Sequence, residues 1–259
     1  MGQPLNCDRP ESGVLPAGLP CRLLPTQIGD GPGQMALDDV LLEQAAEQGV
    51  ATLRFYMWEH PTLSLGYFQP SAPALAAYPD IPWVRRPSGG AALLHHIELT
   101  YALALPPGRD WQPAQGLNWI CRMHHIIRQT LEAFGVRGTL CSQEEKKGDI
   151  LCFLHHTPGD LIVAGHKVVG SAQRKLRGAL LQHGGILLMS SHHTPELPGI
   201  VDLGGPPRLF DELAPALRAA FHAATSWDLQ PGTLSEAERQ RITEIRAQRY
   251  ENEEWNRRR

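Results

Sequence analysis

A thiol and an amine fifteen positions apart, Cys152 and Lys167, are the residues of this chain best suited to covalent chemistry. Cysteine attacks as the thiolate, and a free thiol is mostly protonated near neutral pH, so a neighbouring cation that favours the thiolate supplies much of the activation. Asp160 to Ala164 reads as a short apolar strand, Gly165-His166 as a two-residue turn, and Lys167 to Gln173 as the returning strand. That hairpin sets Lys167 just past the turn and brings the pair together. A second turn at Arg174 to Gly178 leads to a third strand, Ala179 to Met189. Inside it, His183-Gly184-Gly185 marks a bulge or the close approach of a ligand.

Upstream, Arg85-Arg86-Pro87-Ser88-Gly89-Gly90 makes a turn whose consecutive backbone N–H groups can converge on an anion, with two arginines to neutralise it. A phosphate, a phosphopantetheine arm or an acyl-adenylate suits such a cradle; a plain hairpin turn needing glycine for positive φ is the alternative. The loop is neither a P-loop nor a dinucleotide fingerprint, because Gly-Lys-Ser/Thr and GxGxxG are both absent. The doublets His95-His96, His124-His125, His155-His156 and His192-His193 are not read as metal ligands. Neighbouring side chains on a strand face opposite ways, and no HExxH or paired CxxC accompanies them. Without a GxSxG elbow, Ser171 in Gly170-Ser171-Ala172 is no serine-hydrolase nucleophile.

The elements that must position these groups follow from periodicity. Residues 1–27, with Pro4, Pro10, Pro16, Pro20 and Pro25, read as a disordered or loosely draped leader. Residues 28–259 read as one domain. From Gln34, the spacing of Met35, Leu37, Leu41, Leu42 and Ala45 predicts an amphipathic helix ending near Gly49. Leu53 to Trp58 and Thr62 to Phe68 are strand-like runs split by His60-Pro61, as if paired through a tight connection. A short helix at Ala72 to Ala77 and strands at Ala92 to Leu94 and Glu98 to Leu105 come next, then a helix within Trp111 to Phe134 stopped by Gly135. After the meander, helices at Leu209 to Ala224 and Ser235 to Arg249 fall within a terminal helical region, 209–250. The fold class is therefore α+β, a mixed and mainly antiparallel sheet flanked by helices.

With 42% hydrophobic and 20% charged residues, the 259-residue chain can bury a full core. A net charge of −3 offers no global field for nucleic acid. Five cysteines without CxxC point to free thiols in a reduced, cytoplasmic setting. No run long enough to span a membrane occurs.

Taken in order, Leu53 to Trp58, Ser64 to Gln69, Arg85 to Gly90, Leu94 to Tyr101, Gly165 to Gln173 and Leu181 to Gly184 resemble the lipoate-protein ligase and octanoyltransferase family, which shares the biotinyl/lipoyl protein ligase catalytic fold. Cys152-Phe153, fifteen residues before the lysine, is similar to the cysteine-dependent octanoyltransferase branch. Ala91 departs from the usual Gly or Arg of the glycine loop, and His96 from an acidic residue. The resemblance implies transfer of an octanoyl group from octanoyl-acyl carrier protein to a lysine of a lipoyl domain, such as glycine cleavage H protein, through a thioester on Cys152. Lys167 would hold the thiolate and then help deprotonate the incoming lysine or stabilise the oxyanion. Arg86, Ser88, Gly89, Gly90, His95, Gly170, Ser171, Ala172 and His183 would bind substrate. No cofactor or metal is expected; ATP and Mg enter only for the alternative, an ATP-dependent lipoate ligase. A second alternative moves octanoyl between lipoyl domains.

Overall fold

The computed structural model describes residues 7, 15–111, 118–146, 148 and 150–259. Its centre is a nine-stranded sheet. In chain order its strands are β1 (Pro20–Leu23), β2 (Gln27–Gly29), β3 (Ala51–Trp58), β7 (Glu98–Leu105), β8 (Thr139–Leu140), β11 (Leu161–Val163), β12 (His166–Leu176), β13 (Ala179–Leu187) and β14 (Asp228–Pro231). They lie side by side as β14-β1-β3-β7-β13-β12-β11-β8, with β2 also on β3. The neighbours β3/β7, β7/β13, β13/β12, β12/β11 and β11/β8 are antiparallel. Only the pairings made by β1 and β2 are parallel, so the sheet is mixed and mainly antiparallel.

A second sheet holds β4 (Thr62–Leu65), β5 (Trp83–Arg85) and β6 (Leu93–His95), and β9 (Glu145–Lys146) pairs with β10 (His155–His156). Thus β3 and β4 do not pair: the chain leaves the large sheet at His60-Pro61 and starts the small one, correcting the tight connection read there.

Helices cover both faces of the large sheet. Helix α1 (Gly31–Gln48) begins three residues before the sequence reading because the Asp30 side chain accepts a hydrogen bond from Gly33 N at 3.0 Å, and it ends at Gly49 with φ 70°. It is less amphipathic than expected. Met35 through Leu42 is buried without a break, since α1 is sandwiched between the sheet and α5 (Glu236–Ile245). On the opposite face, α3 (Trp119–Ala133) and α4 (Leu209–Thr225) pack over Leu103, Leu131, Leu213 and Trp227. The start read for α3, Trp111, precedes the helix, and residues 112–117 lie outside the described residues. The remaining helices are α2 (Ser71–Ala77) and α6 (Glu253–Asn256), the latter following a π turn at Arg246–Tyr250. The tail read as two helices therefore also carries β14 and α6.

Two further expectations are corrected. Residues 20–23 are not a loose leader, because Cys21 and Leu15 are buried and β1 lies between β3 and β14. Nor are all thiols free. Cys7 forms a disulfide with Cys121 on α3, held further by the hydrogen bond between His125 Nε2 and Cys7 O at 2.8 Å, and only Cys21, Cys141 and Cys152 remain free.

Candidate active site

Cys152 opens a single 3-10 turn, Cys152–Leu154. Leu151 bridges to Ala92; Ala92 N donates to Ile150 O at 3.0 Å, and Cys152 N to Ala92 O at 2.7 Å. Buried beneath, Phe153 anchors the turn in the small core of Leu63, Leu65 and Leu94. Packing of Phe153 thus orients its neighbour Cys152 toward a cavity of about 290 Å³.

The turn of the β11–β12 hairpin falls on Ala164-Gly165, with φ 47° and 82°, one residue before the expected Gly165-His166. Both central residues have positive φ, the signature of a type I′ hairpin. A bulge follows: Lys167 stands opposite Ile162, but Val169 opposite Leu161. The extra residue changes the strand's alternation, and Lys167 comes to share a side with Gly170, where an added Cβ would lie 2.6 Å from Lys167 Cε. Gly170 is therefore the gap through which Lys167 reaches Cys152.

The Lys167 ammonium is buried and lies 3.6 Å from Cys152 Sγ. It donates to His155 O at 3.0 Å and Cys152 O at 3.3 Å, and pairs with Asp160 Oδ2 at 2.7 Å. Burial pulls its pKa down, but the Cys152 sulfur and the Asp160 carboxylate outweigh that and hold it above the ordinary lysine value. Asp160 is itself fixed by Thr157 N at 2.7 Å and Thr157 Oγ1 at 2.9 Å. An ammonium so held favours the thiolate and stabilises negative charge; it is a poor proton acceptor.

The glycine loop is built differently from the anion cradle expected. Arg85 donates to Gly66 O, Gln69 O and Asn256 O, all within 2.8 Å. Arg86 donates to Ser64 O, Gly89 O and Ala91 O, again within 2.8 Å. Burial lowers the Arg86 pKa to about 10. Both guanidiniums thus brace backbone carbonyls of the loop and its surroundings. Gly66 lets the loop close, for a Cβ there would collide with Gly90 O.

Two buried histidines tie the loop and its neighbours to the sheet. Ser88 Oγ is 2.5 Å from His183 Nε2, and His183 Nδ1 is 2.8 Å from Asp38 Oδ2. Asp38 also accepts two bonds from the buried Arg54, at 3.0 and 2.6 Å. The carboxylate assigns the proton to Nδ1, so Nε2 accepts from Ser88. This Ser-His-Asp line resembles a hydrolase triad, yet Ser88 is buried and its hydroxyl anchors the loop. His95 repeats the pattern: Nδ1 meets Glu98 Oε1 at 2.8 Å, Nε2 meets Ser64 Oγ at 2.7 Å, and its ring stacks on Trp58 at 3.8 Å.

Of the residues singled out from sequence, Cys152, Arg86, Gly89, Gly90, His95, Gly170, Ser171, Ala172 and His183 line the same cavity. Lys167 stands behind Cys152, and Ser88 behind His183. Sequence reasoning did not single out Asp160, Asp38, Ser64 or Glu98 as parts of this constellation. It also missed His124, whose Nδ1 bonds Gly159 O at 2.6 Å and whose Nε2 bonds Ser171 Oγ at 2.6 Å. Asp160, at the start of the lysine hairpin, carried the one local signal. Among the described residues no group of three or more His, Cys, Asp or Glu is arranged to hold a metal ion, and no helix is long and apolar enough to cross a membrane.

A sheet sandwiched between helices, with a lysine hairpin and a braced glycine loop around one cavity, defines a protein ligase-like catalytic domain. Residues 30–196 match the lipoyl protein ligase A/B catalytic domain, and the chain belongs to that family. Octanoyltransferase LipM of Halalkalibacterium halodurans is 32% identical over 86% of this chain and 93% of its own length. The octanoyltransferase LipM of Brevibacillus brevis is 30% identical over 92% and 99%. These relatives place the chain among acyltransferase enzymes. Among solved structures, the bi-partite lipoate protein ligase of Thermoplasma acidophilum superposes with a TM-score of 0.71 at 19% identity, over 92% of this chain and 96% of that one. A lipoate-protein ligase A bound with ATP gives 0.72 at 20%, over 93% and 98%. Both show the shared fold.

Proposed function

We propose that this enzyme moves an octanoyl group from octanoyl-acyl carrier protein to a lysine of a lipoyl domain, glycine cleavage H protein among them, through a thioester on Cys152 and without ATP. The observation that carries the reading is the buried Lys167 ammonium 3.6 Å from Cys152 Sγ at the cavity wall. The similarity to octanoyltransferases supports it.

The Cys152 thiolate attacks the carrier's thioester carbonyl. The C–S bond to the carrier breaks and the carrier leaves as a thiolate that takes a proton from solvent. The acceptor lysine, as free amine, then attacks the acyl-enzyme carbonyl; the Cys152 C–S bond breaks to return the thiolate, and the amine proton passes to solvent as the amide forms. Lys167 remains an ammonium throughout, favouring the thiolate as attacker and as leaving group. Its raised pKa argues against the deprotonating role that the resemblance allowed. The acyl chain fits the cavity beside Met35 and Leu93, where each buried methylene contributes about 0.8 kcal/mol.

Intact-mass spectrometry after mixing with octanoyl-acyl carrier protein, in the absence of ATP, tests the reading. One octanoyl group mapped to Cys152, absent in Cys152→Ala, is expected. No adduct, with lipoylation appearing only on addition of ATP and lipoate, overturns it in favour of the ligase.

A further inference from the structure

Neither Cys7 nor Cys121 lines the cavity, and both are buried, yet their disulfide packs against the turn that leads to the nucleophile. Gly159 is the point of contact. It has φ 97°, and a Cβ added there would lie 3.0 Å from Cys7 Sγ and 4.0 Å from Cys121 Sγ, so the two sulfurs rest against a glycine whose next neighbour is Asp160.

That turn is tied to its surroundings by short hydrogen bonds. Gly159 N donates to Cys141 O at 2.8 Å, Cys141 N to Asp160 O at 2.7 Å, and Asp160 N to Thr157 O at 3.0 Å. Gly159 O accepts from His124 Nδ1 at 2.6 Å, and the adjacent His125 donates from Nε2 to Cys7 O at 2.8 Å. Both histidines lie on α3 one turn beyond Cys121. The disulfide, the two histidines and the turn thus form one packed unit. From it Asp160 pairs with Lys167 at 2.7 Å, and Lys167 stands 3.6 Å from Cys152 Sγ. By joining positions 114 apart, the link removes most of the freedom that Cys7 would have as a thiol. With the link open, packing and the hydrogen bond from His125 are left to hold Cys7 against Gly159.

We propose that the Cys7–Cys121 disulfide is a redox-responsive clamp on the line Asp160, Lys167, Cys152: closed, it holds Asp160 where it sets the ammonium beside the sulfur; reduced, it lets the turn relax and Cys152 lose reactivity. The reductant is a dithiol. One of its thiolates attacks a sulfur of the link and the S–S bond breaks; its second thiol resolves the mixed disulfide, so that two electrons and two protons end on Cys7 and Cys121 and the dithiol leaves as its own disulfide. Both sulfurs are buried, so exchange waits on local opening near Cys7. The clamp acts on the pair itself, whichever acyl donor the pair serves.

The test begins with intact mass. Enzyme purified without reductant is expected to be lighter by two hydrogens than the same enzyme after treatment with a dithiol. Once the dithiol is removed, the initial rate of iodoacetamide labelling, read on the Cys152 peptide, falls roughly two- to fivefold, the factor that follows from moving the ammonium by up to about 1 Å from a contact of 3.6 Å. Cys121→Ser and Cys7→Ser show the lowered rate before reduction and keep it afterwards. Lys167→Met gives one rate in both redox states, because the ammonium through which the clamp acts is gone; a merely structural link would slow it as well. Equal Cys152 rates in oxidised and reduced wild type overturn the clamp, as does an effect of reduction that persists in Lys167→Met. So does an enzyme that carries no link as purified, or one whose link opens only when the chain unfolds. Failure to take up an octanoyl group bears on the proposed function alone, since labelling reads Cys152 without an acyl donor.

Discussion

Replacing Gly170 by alanine offers a direct measure of what Lys167 contributes. The new methyl group would lie 2.6 Å from Lys167 Cε, closer than Cβ atoms approach other heavy atoms, and 3.1 Å from Nζ, a tight contact. The lysine must retreat. Its ammonium is held at 2.7 Å by Asp160, so a retreat of about 1 Å that keeps this pair lengthens the 3.6 Å to Cys152 Sγ to ~4.6 Å. At an effective dielectric constant of ~20, attraction between ammonium and thiolate falls from about 4.6 kcal/mol at 3.6 Å to about 3.6 kcal/mol at ~4.6 Å. That loss, about 1 kcal/mol, corresponds to roughly a fivefold factor in a rate that depends on the ammonium. The assay is the initial rate of Cys152 alkylation by iodoacetamide at neutral pH, read from the mass of the Cys152 peptide, with the melting temperature recorded in parallel. A rate about fivefold below wild type in a folded variant is expected. An unchanged rate, or a wild-type rate in Lys167→Met, would refute the argument that the ammonium activates the thiol.

Asp38→Asn removes the negative partner of Arg54, which is 1% exposed, and the acceptor of His183 Nδ1. Breaking one side of such a buried pair costs about 3–5 kcal/mol, a fall of roughly 10 °C in melting temperature for a chain of this size. Thermal denaturation followed by circular dichroism checks it, and an unchanged midpoint means that Arg54 has found another counter-charge. A pH effect is expected from His124, whose pKa burial lowers while its hydrogen bond to Gly159 and the Asp160 charge act in the other direction. The unfolded histidine takes up a proton near pH 6.5 and the folded one resists, so stability is full above about pH 6.5 and declines as pH falls toward the depressed folded value. Urea midpoints between about pH 7 and pH 5 should fall less in His124→Asn than in wild type; parallel declines would assign the acid sensitivity elsewhere.

The local parts of this architecture were legible from sequence, and the long-range parts were not. Glu98–Leu105 was read to the residue because a short, mostly apolar run bounded by His95-His96 and Pro106-Pro107 has the length of a strand. The lysine hairpin was placed but slipped by one position, because Ala164 adopts positive φ, a conformation in which glycine is the usual resident. Helix α1 was read as one-faced, although the C-terminal helices bury its other side from some 200 residues away in the sequence. Cys152 and Lys167 stood out because spacing and a turn bring them together. Asp38 gave no signal, since its contact with His183 spans 145 positions and comes from the way α1 crosses the sheet. The two loop arginines were assigned to an anion when their partners are carbonyls. Composition identifies a cation without identifying its counterpart.

The bracing of the glycine loop reaches far along the chain. Arg85 N donates to Asn256 Oδ1 at 2.9 Å and Arg85 Nε to Asn256 O at 2.8 Å, while Trp255 Nε1 returns a bond to Arg85 O at 3.0 Å. These contacts join positions 170 and 171 apart. Residues 255 and 256 lie 88 or more positions beyond Lys167, so the loop facing Cys152 is clasped only where the C-terminal segment packs back onto β5.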